Sequence, residues 1–138
     1  MSGADLPDDY RPSENEPFMN ERQQAYFRKK LLEWKAEIIR ASTETLENLQ
    51  GSEQHPDATD RASSESDRAL ELRTRDRQRK LIAKIDAAIE RIDMGTYGYC
   101  EETGEPISLK RLEARPIATL SIEAQERHEK RERIYRDD

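Results

Sequence analysis

In Phe27-Arg-Lys-Lys-Leu31-Leu-Glu-Trp34-Lys-Ala-Glu-Ile38-Ile-Arg-Ala41, the apolar residues Phe27, Leu31, Trp34, Ile38 and Ala41 recur at spacings of four, three, four and three. That rhythm is the a/d seam of one helix packed on another. Leu46 and Leu49 continue the apolar face after a small phase shift. The pattern predicts a helix from about Phe18 to Gln50, with a length of about 50 Å at the usual helical rise. Further on, Leu81, Ile85, Ala88 and Ile92 step four, three and four, predicting a second helix from about Arg61 to Asp93. Between them lies Gly51-Ser-Glu-Gln-His-Pro56-Asp57-Ala-Thr-Asp60. Gly51 can end the first helix, Pro56 forbids its continuation, and Thr59 or Asp60 can cap the second. Two long helices with narrow apolar stripes and a short turn make an antiparallel coiled-coil hairpin over residues 18–94, with its tip at 51–61.

The remaining sequence is arranged around that hairpin. Residues 1–17 hold Pro7, Pro12 and Pro17 among acids and read as a flexible N-terminal arm. Met94-Gly95 stops the second helix, and residues 95–120 are rich in glycine and proline, which predicts a small irregular lobe. Residues 121–138 form a C-terminal helix, helical to about Tyr135, where Glu123 with Arg127 and Glu129 with Arg133 stand at i,i+4 spacing. The fold class is therefore all-α. A chain of 138 residues that is 39% charged and only 33% hydrophobic, with a mean hydropathy of -1.11, suits a solvated helical hairpin better than a compact ball. It holds no apolar run long enough for a bilayer and no signal-peptide pattern. Its single cysteine forms no internal disulfide, in keeping with the cytoplasm.

A net charge of -6 argues against DNA as the direct partner, because phosphate affinity comes from positive surface. The charge is unevenly placed. Residues 51–67 carry five acids and one base, and residues 68–92 carry eight bases and four acids. The basic run Arg73, Arg75, Arg77, Arg79, Lys80 and Lys84 fans around its helix rather than forming a stripe. Most of it reads as a solvated face with ion pairs to Glu33, Glu37 or Glu44 on the other arm.

Tyr97-Gly98-Tyr99-Cys100-Glu-Glu-Thr103-Gly104-Glu-Pro-Ile107, followed by Arg111-Leu112-Glu113-Ala114-Arg115-Pro116, resembles the zinc-finger region of the DksA/TraR family of bacterial transcription factors. Leu70–Leu81, Phe27–Trp34 and the hairpin turn Asp57-Ala58-Thr59-Asp60-Arg61-Ala62 follow in the family's order, so the resemblance covers about residues 19–135. The family places four cysteines as two C-x-x-C pairs. Here those positions read Cys100, Thr103, Ser121 and Ala124. A structural zinc takes four Cys or His ligands, and only Cys100, His55 and His128 exist in the chain, so no metal and no cofactor are expected. The lobe would then rest on packing by Leu112, Ile117, Leu120 and Ile122. Cys100 reads either as a redox-sensitive thiol or as a packed residue. Glu101 and Glu102 beside it disfavour the thiolate and favour the second reading.

The resemblance implies a regulator that binds RNA polymerase directly, as a monomer, with no sequence-specific DNA contact and no membrane. Its hairpin would enter the secondary channel and bring Asp57, Asp60 and Ala62 near the catalytic centre. Leu81, Lys84, Arg111 and Arg115 match positions that bind the alarmone ppGpp together with polymerase, while Gln125 stands where a lysine often completes that site. The implied outcome is inhibition of ribosomal RNA promoters and activation of amino-acid biosynthesis promoters, as in the stringent response. Two rivals share features of this sequence: a transcript-cleavage factor that uses the same channel, and a coiled-coil adapter that never touches polymerase. No nucleophile or base constellation points to an enzyme.

Overall fold

The computed structural model describes the backbone of residues 6–52 and 58–136 and the side chains of residues 6–44 and 64–135. Among the described residues four helices follow in order: α1 (Glu21–Ser52), α2 (Ala58–Met94), α3 (Leu109–Ala114) and α4 (Ile122–Arg136). Among the described residues the β pairing is a single antiparallel bridge, Tyr99 with Pro106. No helix there is long and apolar enough to cross a membrane. The chain divides into two units, one of Met1–Leu31 with Ala87–Asp138 and one of Leu32–Asp86.

The Leu32–Asp86 unit is the antiparallel pairing of α1 and α2. Lys35 bonds Asp86 at 2.8 Å, and Ser42 bonds Gln78. Seven residues forward on α1 thus correspond to eight back on α2, the signature of opposed strands in a hairpin. Ile38 and Ile85 are buried between the arms, while Trp34 and Leu81 are half-buried and Ala41 is exposed. The α1 helix runs through Gly51 to Ser52, one residue past the expected stop. The α2 helix begins at Ala58, so Thr59 and Asp60 lie inside it rather than at its cap. Two of the six members of the basic run find partners on their own helix rather than on Glu33, Glu37 or Glu44: Arg75 pairs with Glu71 and Lys80 with Asp76. Intrahelical partners four residues away need no alignment between two chains, which makes them the easier pairs to form.

The other unit encloses the larger core. Phe27, Leu31, Ala88, Ile92, Tyr97, Ile107, Leu109, Leu112 and Ala124 are all buried in it. A Schellman motif ends α2: Gly95 takes φ +78°, its N–H bonds the Ile92 carbonyl at 3.1 Å, and the Thr96 N–H bonds that of Arg91 at 2.9 Å. Of the four residues expected to fill the lobe, Leu112 is fully buried, Ile117 and Leu120 are half-buried, and Ile122 is 48% exposed. Tyr97 holds the central place. Its ring lies 5.6 Å from that of Phe27 and its hydroxyl donates to the Pro116 carbonyl at 2.7 Å. On α4 the expected i,i+4 pairs give way to Arg127 and His128 reaching Glu102, at 3.7 and 2.8 Å.

Of the arm expected over residues 1–17, residues 1–5 lie outside the described residues, and residues 6–20 are folded within this unit. The Tyr10 hydroxyl donates to Glu16 at 2.9 Å, its ring packs edge-on against Tyr26, and Arg22 lies over it. Asn20 caps α1 by accepting from the Gln23 N–H at 2.9 Å. Buried Gln23 reaches back, accepting from the Met19 N–H at 2.8 Å and donating to the Ser13 carbonyl at 3.2 Å. That is a capping box displaced by one residue. It explains why the helix starts at Glu21 rather than Phe18. The prolines punctuate turns whose polar groups are satisfied locally, so the segment needs few apolar residues to stay docked.

Gly98 is where this segment meets the lobe. Its φ is +92°, and a Cβ built there would stand 3.1 Å from Phe18 Cζ and 3.3 Å from two Met19 side-chain atoms. Gly98→Ala therefore combines backbone strain with a clash and is expected to cost about 1–3 kcal/mol. Gly95→Ala meets no atom within 4 Å and costs the backbone term alone, about 1 kcal/mol. Thermal unfolding followed by circular dichroism should rank Gly98→Ala well below Gly95→Ala. An equal or reversed ranking would remove the docked segment from this account.

Candidate functional site

The lobe begins with a tight hairpin around Cys100. The Ile107 N–H bonds the Gly98 carbonyl at 2.7 Å, the Cys100 N–H bonds that of Glu105 at 2.8 Å, and the Gly104 N–H bonds that of Cys100 at 2.8 Å. This turn directs donors at the sulfur. Burial pushes the Cys100 thiol up, but hydrogen bonds from the Thr103 hydroxyl and from the backbone N–H groups of Ser121, Thr103 and Glu102 more than offset it, holding the pKa at about 6. The thiolate is thus favoured despite the neighbouring Glu101 and Glu102, contrary to expectation. Glu101 is exposed, and Glu102 is engaged by His128 and Arg127.

Three of the four positions singled out in the sequence are thus brought together at one sulfur: Cys100, Thr103 and Ser121. Ala124 sits in the first turn of α4, fully buried, its N–H on the Ser121 hydroxyl at 3.2 Å. Among the described residues no group of three or more His, Cys, Asp or Glu is placed to hold a metal.

The hairpin-tip residues fall elsewhere. Asp57 lies outside the described residues, and for Asp60 and Ala62 only the helical backbone of α2 is described. On α2 in the Leu32–Asp86 unit, Leu81 is half-buried and Lys84 exposed. Arg111 and Arg115 belong to the other unit. The Ser108 hydroxyl caps α3 by accepting from the Arg111 N–H at 3.2 Å, and Arg115 closes the helix with its N–H on the Arg111 carbonyl. The Arg111 side chain donates from Nε to the Leu120 carbonyl at 2.8 Å, while Arg115 is exposed. Gln125 donates to Glu129 at 3.2 Å.

Sequence reasoning passed over a further cluster. Glu113 on α3 accepts from the Tyr26 hydroxyl and from Lys30 Nζ, the latter at 2.7 Å, both partners standing on α1. Burial raises the Glu113 carboxyl, yet the Lys30 and Tyr26 hydrogen bonds and the charges of Lys30 and Arg11 hold it below the ordinary glutamate value. Burial and the Glu113 hydrogen bond push the Tyr26 phenol up to about 12. No local pattern announces the cluster, because Tyr26 and Glu113 are 87 residues apart in sequence.

Two family models divide the chain between them. Residues 23–92 match the N-terminal domain of the DnaK suppressor protein DksA, and residues 95–130 match the prokaryotic dksA/traR C4-type zinc finger. The RNA polymerase-binding transcription factor DksA of Caulobacter vibrioides is 71% identical over 131 residues, spanning 94% of this chain and 92% of its own. The chain belongs to the DksA family. The Haemophilus influenzae DksA is 42% identical, covering 90% of this chain and 86% of that one. Among solved structures, the transcription factor DksA2 from Pseudomonas aeruginosa superposes with a TM-score of 0.78 at 48% identity, covering 84% of this chain and 90% of that one.

Membership corrects the reading of the lobe. The match of residues 95–130 to a C4-type zinc finger assigns the segment to a zinc-binding family and overturns the expectation that no cofactor belongs to it. The side chains at the four positions are one thiol, two hydroxyls and a methyl, which is not the four-ligand set a closed structural zinc takes.

The donor shell around Cys100 makes its own prediction. In Thr103→Val the shell loses its one hydroxyl, so the thiolate absorbance should titrate at higher pH than in the parent. A midpoint unmoved by the substitution would mean that the Thr103 hydroxyl does not hold the thiolate.

Proposed function

We propose that this chain is a transcription regulator that binds RNA polymerase directly and is not an enzyme. Its relatives in Caulobacter vibrioides and Haemophilus influenzae carry that name, and the 71% identity over nearly the whole chain is the observation that carries the reading. In this proposal the hairpin enters the polymerase secondary channel. Asp57 and Asp60, with Ala62 behind them, act beside the catalytic centre, where fixed negative charge redistributes contacts among magnesium, basic side chains and nucleic acid without covalent chemistry. The balance of charge supports a protein partner: at a net -6 the chain as a whole is repelled by DNA phosphates.

The finer part of the proposal concerns the effector. Leu81, Lys84, Arg111 and Arg115 would contact ppGpp together with polymerase, their cationic groups answering its phosphates and arginine forks giving the stronger, bidentate bonds. Open complexes at ribosomal RNA promoters would lose stability, and amino-acid biosynthesis promoters would gain transcription.

In vitro transcription from a ribosomal promoter, with and without ppGpp, tests both parts. Asp60→Asn should retain polymerase binding in a competition assay while losing most promoter inhibition, on the order of tenfold at saturating factor. Absence of polymerase binding by the parent chain would leave the adapter reading. Stimulated RNA cleavage in stalled complexes would point instead to a cleavage factor.

A further inference from the structure

We infer that Glu113, clasped by Tyr26 and Lys30 of α1, is a positioning residue that sets the direction in which α3 presents Arg111 and Arg115. The inference rests on the proposed role of those two arginines as contacts for the polyphosphate effector.

The argument begins with the size of α3. Six residues are too few to hold a helix by propensity, since isolated helices shorter than about 12 residues are marginal in water. Its orientation therefore comes from tertiary anchors. Leu109 and Leu112 are buried, but apolar burial is non-directional and leaves the helix able to roll about its axis. Glu113 supplies direction. One of its carboxylate oxygens accepts from the Tyr26 hydroxyl and the other from Lys30 Nζ at 2.7 Å, so both are engaged by residues one turn apart on a long helix. Arg11 adds its attraction.

Placement around α3 gives this clasp its consequence. Residues two apart on a helix project to roughly opposite sides, so drawing Glu113 toward α1 turns Arg111 away from it. Arg111 is then fixed by its Nε bond to the Leu120 carbonyl at 2.8 Å, which leaves the Nη edge of the guanidinium available for an outside acceptor. The clasp also occupies the only carboxylate on α3 with Lys30 and Tyr26, so that charge does not neutralise the arginines beside it. A guanidinium oriented in advance loses less rotamer freedom when it meets a phosphate.

The experiment compares Glu113→Ala, Glu113→Gln and Tyr26→Phe with Arg115→Ala in full-length protein. Two readings are taken: the ppGpp concentration giving half-maximal effect in transcription, and the Arg111 Nε–H resonance in an NMR spectrum. Glu113→Ala should raise the half-maximal ppGpp concentration roughly three- to tenfold, leave inhibition without ppGpp unchanged at saturating factor, and abolish the protected Arg111 Nε–H signal. Glu113→Gln, which keeps an acceptor for Tyr26, should recover part of both, and the mild Tyr26→Phe should fall between. If Arg115→Ala loses the ppGpp response and Glu113→Ala keeps it in full, the inference is overturned and the effector reading stands. If Glu113→Ala lowers basal inhibition and ppGpp response in equal proportion, Glu113 is merely structural and the inference is again overturned. If Arg115→Ala leaves the ppGpp response intact, the effector reading fails. The Arg111 signal then decides the positioning claim alone: its loss in Glu113→Ala upholds it and its persistence refutes it.

Discussion

Two aromatic rings carry the unit built from residues 1–31 and 87–138. Phe27 comes from the first turns of α1 and Tyr97 from just beyond the end of α2, and both are buried with their centroids 5.6 Å apart. The Tyr97 hydroxyl then reaches the Pro116 carbonyl between α3 and α4. One side chain thereby ties together segments that lie far apart in the sequence. Its phenol is desolvated, which drives its ionisation far above the ordinary tyrosine range, so the donor proton stays in place at any physiological pH. A chain with so few apolar residues cannot spread its core widely. It concentrates burial at such junctions and leaves the rest of its surface charged.

This economy explains which parts of the structure were legible in advance. The hairpin was readable because helical packing repeats: a four-three rhythm from Phe27 to Ile38 states the face, and Gly95 states the end. Even there the outer members drifted, with Ala41 exposed, because a narrow stripe on a straight helix rotates away from its partner. The segment before α1 was not readable. Its stability comes from Tyr10, Glu16, Asn20 and Gln23 bonding one another and nearby backbone, and polar residues that dock look the same in sequence as polar residues that do not. Nor was α3 readable, since six residues carry less than two turns of pattern. The Asn20–Gln23 spacing was the one overlooked local sign, a cap followed three residues later by a residue able to reach back.

The candidate site divides along the same line. The family resemblance named Cys100, Thr103, Ser121 and Ala124, and the fold gathers the first three at one sulfur. The sign of the electrostatics was misjudged, because sequence shows the neighbouring carboxylates and hides the backbone. Glu101 carries a full charge but is exposed, where water screens it, and the charge of Glu102 is answered by Arg127 and His128. The N–H groups of Glu102, Thr103 and Ser121 carry only partial charges, yet they stand in hydrogen-bond contact with a buried sulfur. Distance and dielectric outweigh formal charge, so the dipoles win.

The same reasoning bears on how the lobe relates to its family. In metal sites generally, hydrogen bonds to the ligands orient them and tune their charge. Here Cys100 receives such donors from the Thr103 hydroxyl and from the backbone at Glu102, Thr103 and Ser121. What the turn requires is a backbone path, set by the Gly98–Ile107 and Cys100–Glu105 hydrogen bonds and by a glycine over which Phe18 and Met19 can close. None of those requirements names a thiol. The path is further secured from outside by Tyr97 to Pro116 and by Glu102 to Arg127 and His128 on α4, contacts that also make no reference to the sulfur. The turn at Cys100 is thus held by backbone hydrogen bonds and packing within the lobe.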